Sequence, residues 1–347
     1  MTMAEPRSVP TLPTPLRLPL PAAVRGCSTV AELLARPGLT PVLLAGSRDP
    51  NAKLTVLLLD RLGPALAVKI ATTLAAGRAV RAEAARLAAL QAAGLGPLSA
   101  QVPRPLAILD ADGLPALVTT ALAGVPMTVT YHEWRHTARR RRVHADLAAA
   151  GRWLATLQRL TASAPRPVTL FDTALAGVER RFGDQPGLRA ALAPATGMLA
   201  AQRTPRTAVH GDYWFGNVLL TGSEVAGVVD WEASTATGEP LRDVARFAMS
   251  YCLYLDRHVR PGGRIAGHRG LRATGWGAGL RYAVQGGGWL ADEVTGFCAD
   301  ALARLGADPA AARALLLAGI ADVAATADHA DFARAHLNLL SGLELDR

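Results

Sequence analysis

Three cysteines in 347 residues, Cys27, Cys252 and Cys298, are too few and too scattered for a disulfide framework, and none has a Cys or His partner at zinc-ligand spacing. A reducing cytoplasm is therefore expected. Aromatic residues make up only 5% of the chain, so the 37 Lys+Arg set against 28 Asp+Glu are not interleaved with the rings that stack on bases. No nucleic-acid partner is expected. Long apolar runs are also missing: LTVLLLD is far shorter than the roughly 20 residues of a membrane span, and Pro10, Pro13, Pro15, Pro19 and Pro21 break the N-terminus. Neither a membrane nor a secretory segment is expected. Lysine is scarcest of all, with Lys53 and Lys69 the only two. Positions that merely need a cation carry Arg, and these two are candidates for needing an amine.

What remains is 50% hydrophobic and 19% charged, a globular composition at a length that suits two lobes with a cleft between them. Residues 1–24 read as a Pro-rich N-terminal arm, 25–120 as an N-lobe and 121–347 as a C-lobe. Thr29 followed by Glu32 is a capping-box pattern that opens a short helix. The runs PVLLA, LTVLLLD and ALAVKI are separated by turn-forming GSRDPNAK and RLGP, and form an antiparallel meander. A helix from near Val80 to Ala92 follows, then two strands around the Asp112-Gly113 turn. Beyond Gly124 the pattern is helical, near 143–160, 174–182, 188–201, 241–255, 291–305, 309–326 and 329–340. The exceptions are a hairpin within 208–230 and a glycine-rich stretch at 260–288, which reads as a mobile loop.

The informative segment is AVHGDYWFGNVLLTGSEVAGVVDWE. A Gly222-Ser223 turn pairs VLL with VAGVV, and a two-residue loop makes opposed residue numbers sum to 445, which puts Asn217 opposite Val228. Strand parity then places Asp230 on the Asn217 face, with Cα atoms on the order of 8 Å apart. Both are hard oxygen ligands of the kind Mg²⁺ takes beside phosphate oxygens. Asp212 adds a second carboxylate at the open end of the hairpin. Singly, these are common turn-formers and His210 an ordinary core histidine, but beside Asp212 His210 is a candidate catalytic-site residue, expected to support the loop rather than transfer protons. Together, HGDxxxxN followed by DWE on a matching hairpin point to chemistry.

These residues resemble the aminoglycoside phosphotransferase and choline kinase-like superfamily, whose members share an HGDxxxxN catalytic loop and a metal-binding aspartate on the next strand. VDWEASTATGEPLRDVARFA continues the resemblance, with six residues between DW and GEP where the family usually has five. The resemblance implies an α+β, two-lobed protein-kinase-like fold: a small antiparallel-sheet N-lobe with one helix, hinged to a larger, mostly helical C-lobe, with ATP in the cleft. It also implies that Asp243 braces the catalytic loop and that the adenine meets backbone at Thr120 and Leu122.

The N-lobe residues agree independently. In ALAVKI, Lys69 shares a face with Ala65 and Ala67, leaving room for a flat base and phosphates. In VRAEAARLAAL, Glu83 falls on the stripe of Val80, Leu87 and Leu90, so it points inward and needs a cation, for which Lys69 is the natural partner. The expected phosphate loop AGSRDPNAK lacks GxGxxG and offers Gly46, Ser47 and Lys53. Glu232 is a candidate helper at the metal. The Arg139–Arg142 run reads as a solvated helix start, and Trp276, Trp289 and Tyr282 as packing residues.

The expected activity is therefore ATP-dependent O-phosphotransfer to a hydroxyl of a small molecule. Asp212 orients the hydroxyl and accepts its proton, Asn217 and Asp230 hold Mg²⁺, and Lys69 with Glu83 positions the nucleotide. The alternative is a catalytically idle nucleotide-binding protein of the same fold. Residues 239–347 carry 12 Asp+Glu against 12 Arg, which does not favour a strongly cationic acceptor. Nothing in the sequence indicates an oligomeric state.

Overall fold

The computed structural model describes residues 21–44 and 53–343. The Pro-rich arm up to residue 20 and the loop carrying Gly46 and Ser47 lie outside the described residues.

A short helix, α1 (Val30–Leu34), leads into the first sheet. Thr29 Oγ1 accepts the Glu32 amide at 3.2 Å while the Glu32 carboxylate accepts the Ser28 and Thr29 amides, so the capping box closes in both directions. Five antiparallel strands follow: β1 (Thr40–Leu44), β2 (Lys53–Asp60), β3 (Gly63–Ala71), β4 (Pro105–Ala111) and β5 (Leu114–Thr120), in the spatial order β1-β2-β3-β5-β4. Val56, Leu58, Leu66 and Val68 bury one face of the β2–β3 pair, and strand alternation sends Lys69 to the other. Asp112 and Gly113 both adopt positive φ (51° and 83°), the backbone of a tight hairpin between β4 and β5.

Helix α2 (Leu74–Ala92) begins six residues before the expected Val80. Thr73 caps it by accepting the Ala76 amide at 3.0 Å, and Gly77 does not break it because the helix passes tightly over β5 there. A Cβ at Gly77 would stand 3.1 Å from Pro115 Cδ. This close passage presents Glu83 to β3.

Past Thr120 the chain is dominated by helices Arg140–Thr161, Leu170–Phe182, Pro186–Ala200, Leu241–Leu253, Gly288–Arg304, Ala312–Thr326 and Ala330–Ser341. Ala312–Thr326 runs through their middle, apolar but for Arg313, Asp322 and Thr326, and Gly319 lets it approach Ala245 where a Cβ would come within 2.9 Å. Pro309–Thr326 is the one stretch among the described residues long and apolar enough to cross a membrane, and 67% of it is buried inside the fold. That burial is what a core helix requires.

The 260–288 segment is not the mobile loop its glycines suggest. It contains the helix Ala278–Val284 and an Arg264–Arg272 bridge, and it buries Ile265, Leu271 and Leu280. Glycine here serves turns and close approach. Gly267 sits so near Ala138 that a Cβ would fall 2.4 Å from its carbonyl oxygen, and the Trp289 indole donates to the Gly267 carbonyl at 2.9 Å.

Candidate functional site

The hairpin that organises the site pairs strands Val218–Thr221 and Glu224–Val228, but a bulge shifts its register. Leu220 faces Val225 while Leu219 faces Gly227, so Ala226 is extra and Asn217 falls opposite Val229 rather than Val228. The Val229 amide donates to the Asn217 carbonyl at 2.9 Å. Strand parity therefore does not aim Asp230. Its left-handed backbone does (φ 67°), a conformation that Asp tolerates better than most side chains but that still stores strain.

Asp230 and Lys69 meet across the two lobes. Lys69 Nζ donates to Asp230 Oδ1 at 2.7 Å and to Glu83 at 2.8 and 2.7 Å. Glu83 is only 3% exposed, and it also accepts the Trp231 amide at 3.3 Å. Burial works to lower the pKa of this ammonium, but Asp230 and Glu83 outweigh it and hold the Lys69 pKa above its ordinary value. Asp230 is held low for the converse reason, its burial being outweighed by Lys69. The second lysine is here as well: Lys53, at the start of β2, pairs with Glu232, whose carbonyl accepts from Arg86 on α2. Glu83, Asp230 and Glu232 bring ligand oxygens within 4.8 Å of one another. An all-oxygen set suits a hard divalent cation such as Mg²⁺.

The loop from His210 to Asn217 forms the other side. Asp243, 1% exposed at the start of the Leu241–Leu253 helix, accepts the His210 amide at 2.7 Å and the Gly211 amide at 2.8 Å. Its burial raises its pKa against the pull of His210, these amides and Arg242. His210 accepts the Asp212 amide at Nδ1 (3.3 Å) and donates from Nε2 to the Val229 carbonyl (2.9 Å). Both ring nitrogens are thus committed to tying the loop to the hairpin. Gly211 is obligatory, since its φ is +83° and a Cβ would lie 2.2 Å from the Ala233 carbonyl oxygen.

Asp212 projects from this loop. Its Oδ1 accepts from Arg246 and its Oδ2 from Asn217 Nδ2 at 3.3 Å. Asn217 Nδ2 also donates to the Asp212 carbonyl at 3.0 Å, which leaves the side-chain oxygen of Asn217 as its acceptor. The structure therefore brings Asn217 to Asp212, and Asp230 to Lys69, with Val229 and His210 joining the two groups. The scarce aromatics concentrate beneath them: Tyr213, Phe215 and Trp231 are fully buried, Trp153 stacks on Tyr213 at 5.5 Å, and the His210 ring lies 4.7 Å from Trp231.

The hinge ends the sheet at Thr120. The Thr120 amide donates to the Arg104 carbonyl and the Ala121 amide to the Ala65 carbonyl, so Leu122 is the first residue past the ladder. Leu122 rests on the hairpin at Gly227, where a Cβ would come 2.6 Å from Leu122 Cδ1. Arg246 was not among the sequence candidates. Its signal was there, since it lies three residues after Asp243 on the same helix face.

A family model described as the phosphotransferase enzyme family matches residues 49–280. No curated protein matches. Among solved structures, the apoenzyme of macrolide 2'-phosphotransferase MphH from Brachybacterium faecium is similar over 90% of this chain and 98% of its own, at 17% identity and a TM-score of 0.51. A thermostable mutant of aminoglycoside phosphotransferase APH(4)-Ia covers 87% and 94% at 14% identity and a TM-score of 0.49. ADP-bound aminoglycoside phosphotransferase APH(2'')-Ib covers 90% and 96%, also at 14% identity and a TM-score of 0.49.

Proposed function

This chain belongs to the phosphotransferase enzyme family, and from that premise we propose that it transfers the γ-phosphoryl group of ATP to a hydroxyl of a small molecule. The observation that carries the reading is the Lys69 ammonium gripped by Glu83 and Asp230 beside the Asp212 loop. A buried lysine held between carboxylates from both lobes is suited to receiving nucleotide phosphates.

In this reading Lys69, steadied by Glu83, aligns the phosphates, and Thr120 and Leu122 supply backbone to the adenine. Gly46 and Ser47 belong to the proposed phosphate loop. Asp230, with Glu232 beside it, and Asn217 from the Asp212 loop are the residues that would hold Mg²⁺. When bound, Mg²⁺ neutralises phosphate charge as it develops. Asp212 orients the acceptor hydroxyl. The acceptor oxygen bonds to phosphorus as the bond to the β–γ bridging oxygen breaks, ADP departs, and the hydroxyl proton passes to Asp212. No covalent intermediate on the protein is needed, so rate comes from alignment and charge complementarity. Asp243 and His210 act one step back, fixing the loop that carries Asp212.

The test is a panel of hydroxylated small molecules incubated with Mg·ATP and read by mass gain of one phosphate. Transfer to at least one member is expected. Nucleotide binding without transfer to any member would favour an idle nucleotide-binding protein instead.

A further inference from the structure

The guanidinium on the Asp212 carboxylate has no role in the chemistry above. Arg246 lies one turn beyond Asp243, so the helix that holds the loop amides also delivers a cation to the loop's carboxylate. Two of its nitrogens converge on one oxygen: Nε stands 2.9 Å and Nη2 2.6 Å from Asp212 Oδ1. The two side chains are only 22% and 30% exposed, so solvent screens the pair less than it would an open surface bridge.

The influence of Arg246 extends beyond Asp212. Burial lowers the His336 imidazole and Arg246 adds to that effect, while the Tyr254 hydroxyl, raised by burial, is pulled back by Arg246 and Arg257. Tyr254 lies against Trp214, two residues past Asp212, at 6.0 Å, and Arg257 stands 5.7 Å above its ring. Residues 254–288 carry six arginines against the single acid Asp256. Positive charge thus predominates in the segment that leaves the Asp212 loop at Tyr254.

We propose that Arg246 sets the acceptor class, which is an uncharged or anionic hydroxyl compound with no ammonium beside the reacting hydroxyl. The proposal rests on the reading that Asp212 receives that hydroxyl. With its charge met by Arg246, Asp212 offers an incoming ammonium no net attraction to offset the cost of desolvating it. A neutral acceptor loses nothing. The fork on Oδ1 also fixes the carboxylate's orientation and leaves Oδ2, with its longer Asn217 contact, as the oxygen that meets the hydroxyl. Arg246 is thus a positioning and specificity residue.

The experiment uses the full chain with Mg·ATP and matched acceptor pairs: amino sugars and aminocyclitol glycosides, each beside its N-acetylated counterpart. Wild type is expected to show kcat/KM about tenfold or more in favour of the uncharged member of a pair. Arg246→Gln should bring the two within about threefold, chiefly through the KM of the cationic member. Arg246→Lys should keep the preference, because it keeps the charge, while lowering kcat for both members by losing the fork. A wild-type preference for the cationic members, or a ratio unmoved in Arg246→Gln, overturns the proposal. If Arg246→Gln loses the melting shift with Mg·ADP, Arg246→Lys decides alone, and loss of preference there overturns it. Failure of the underlying reading looks different: wild type then phosphorylates no member of any pair, and the proposal falls with it.

Discussion

Lys69 and Asp230 stand 161 residues apart in sequence and 2.7 Å apart in space, joining the sheet lobe to the hairpin of the helical lobe. Both lysines of the chain are committed to this seam, Lys69 to Glu83 and Asp230, and Lys53 to Glu232. A nucleotide entering with its metal brings phosphates that need the ammoniums and a cation that needs the carboxylates. Under the proposed function, the ion pairs across the seam are exchangeable partners, charged and in register for an arriving Mg·ATP.

Asp230→Ala should erase the Mg²⁺-dependent part of the melting-temperature gain on adding ATP. Ligand binding stabilises the folded state in proportion to the logarithm of ligand over dissociation constant, and this substitution removes a carboxylate from the only metal-capable group among the described residues. Thermal denaturation with ATP alone and with Mg·ATP checks it. An unchanged magnesium increment would move the metal site elsewhere.

Asp212→Asn should leave ATP affinity within about threefold of wild type while lowering kcat by about 10²–10⁴. The amide is isosteric and keeps a contact to Arg246, but it accepts no proton. Single-turnover kinetics beside equilibrium nucleotide titration separates the two effects. A variant with more than a tenth of wild-type turnover would remove Asp212 from the reaction.

The sequence was legible wherever one residue's needs could be met in only one way. Glu83 on an apolar helix stripe demanded a cation, and a chain with two lysines offered few choices. Gly211 and Gly227 were visible as glycines, but the close approaches that require them were not. The hairpin register escaped because a bulge at Ala226 carries no side-chain signature. That one extra residue turned a parity argument about Asn217 and Asp230 into a different geometry, in which a left-handed Asp230 does the aiming. Residues 260–288 misled for a related reason: glycine frequency reports turns and tight contacts as readily as mobility, and only the buried Ile265, Leu271 and Leu280 distinguish them.

Asp243→Ala should cost stability and activity together. The substitution leaves the buried amides of His210 and Gly211 without their acceptor, a loss of about 1–3 kcal/mol for each unsatisfied group. Asp243→Asn, which keeps one acceptor oxygen, should recover part of both. Urea denaturation and turnover measured on the pair check the coupling. A fully active, destabilised Asp243→Ala protein would mean that the loop holds its shape without the brace.

Acid sensitivity should trace largely to His336. Its ring is fully buried, Nδ1 donates to the Phe332 carbonyl at 2.8 Å, and Nε2 has no partner among the described residues. Burial, with a further push from Arg246, lowers its pKa to about 4. The unfolded chain binds a proton at this imidazole below about pH 6.5, and the folded chain does not until near pH 4. Within that window the unfolded state holds more protons, so stability falls as pH falls, by at most about 1.4 kcal/mol per pH unit from this group. His336→Leu keeps the apolar contacts with Trp276 and Phe332 and removes the titration. Its unfolding free energy should therefore decline less steeply than wild type between pH 6.5 and 5, whatever its absolute value at pH 7. Other buried histidines, such as His268, titrate equally in both proteins and cancel from the difference. Parallel urea titrations at pH 7, 6.5, 6 and 5 give the two slopes. Identical slopes would mean that His336 takes up its proton in the folded state, through an opening of the Trp276–Phe332 contact that lets water reach Nε2.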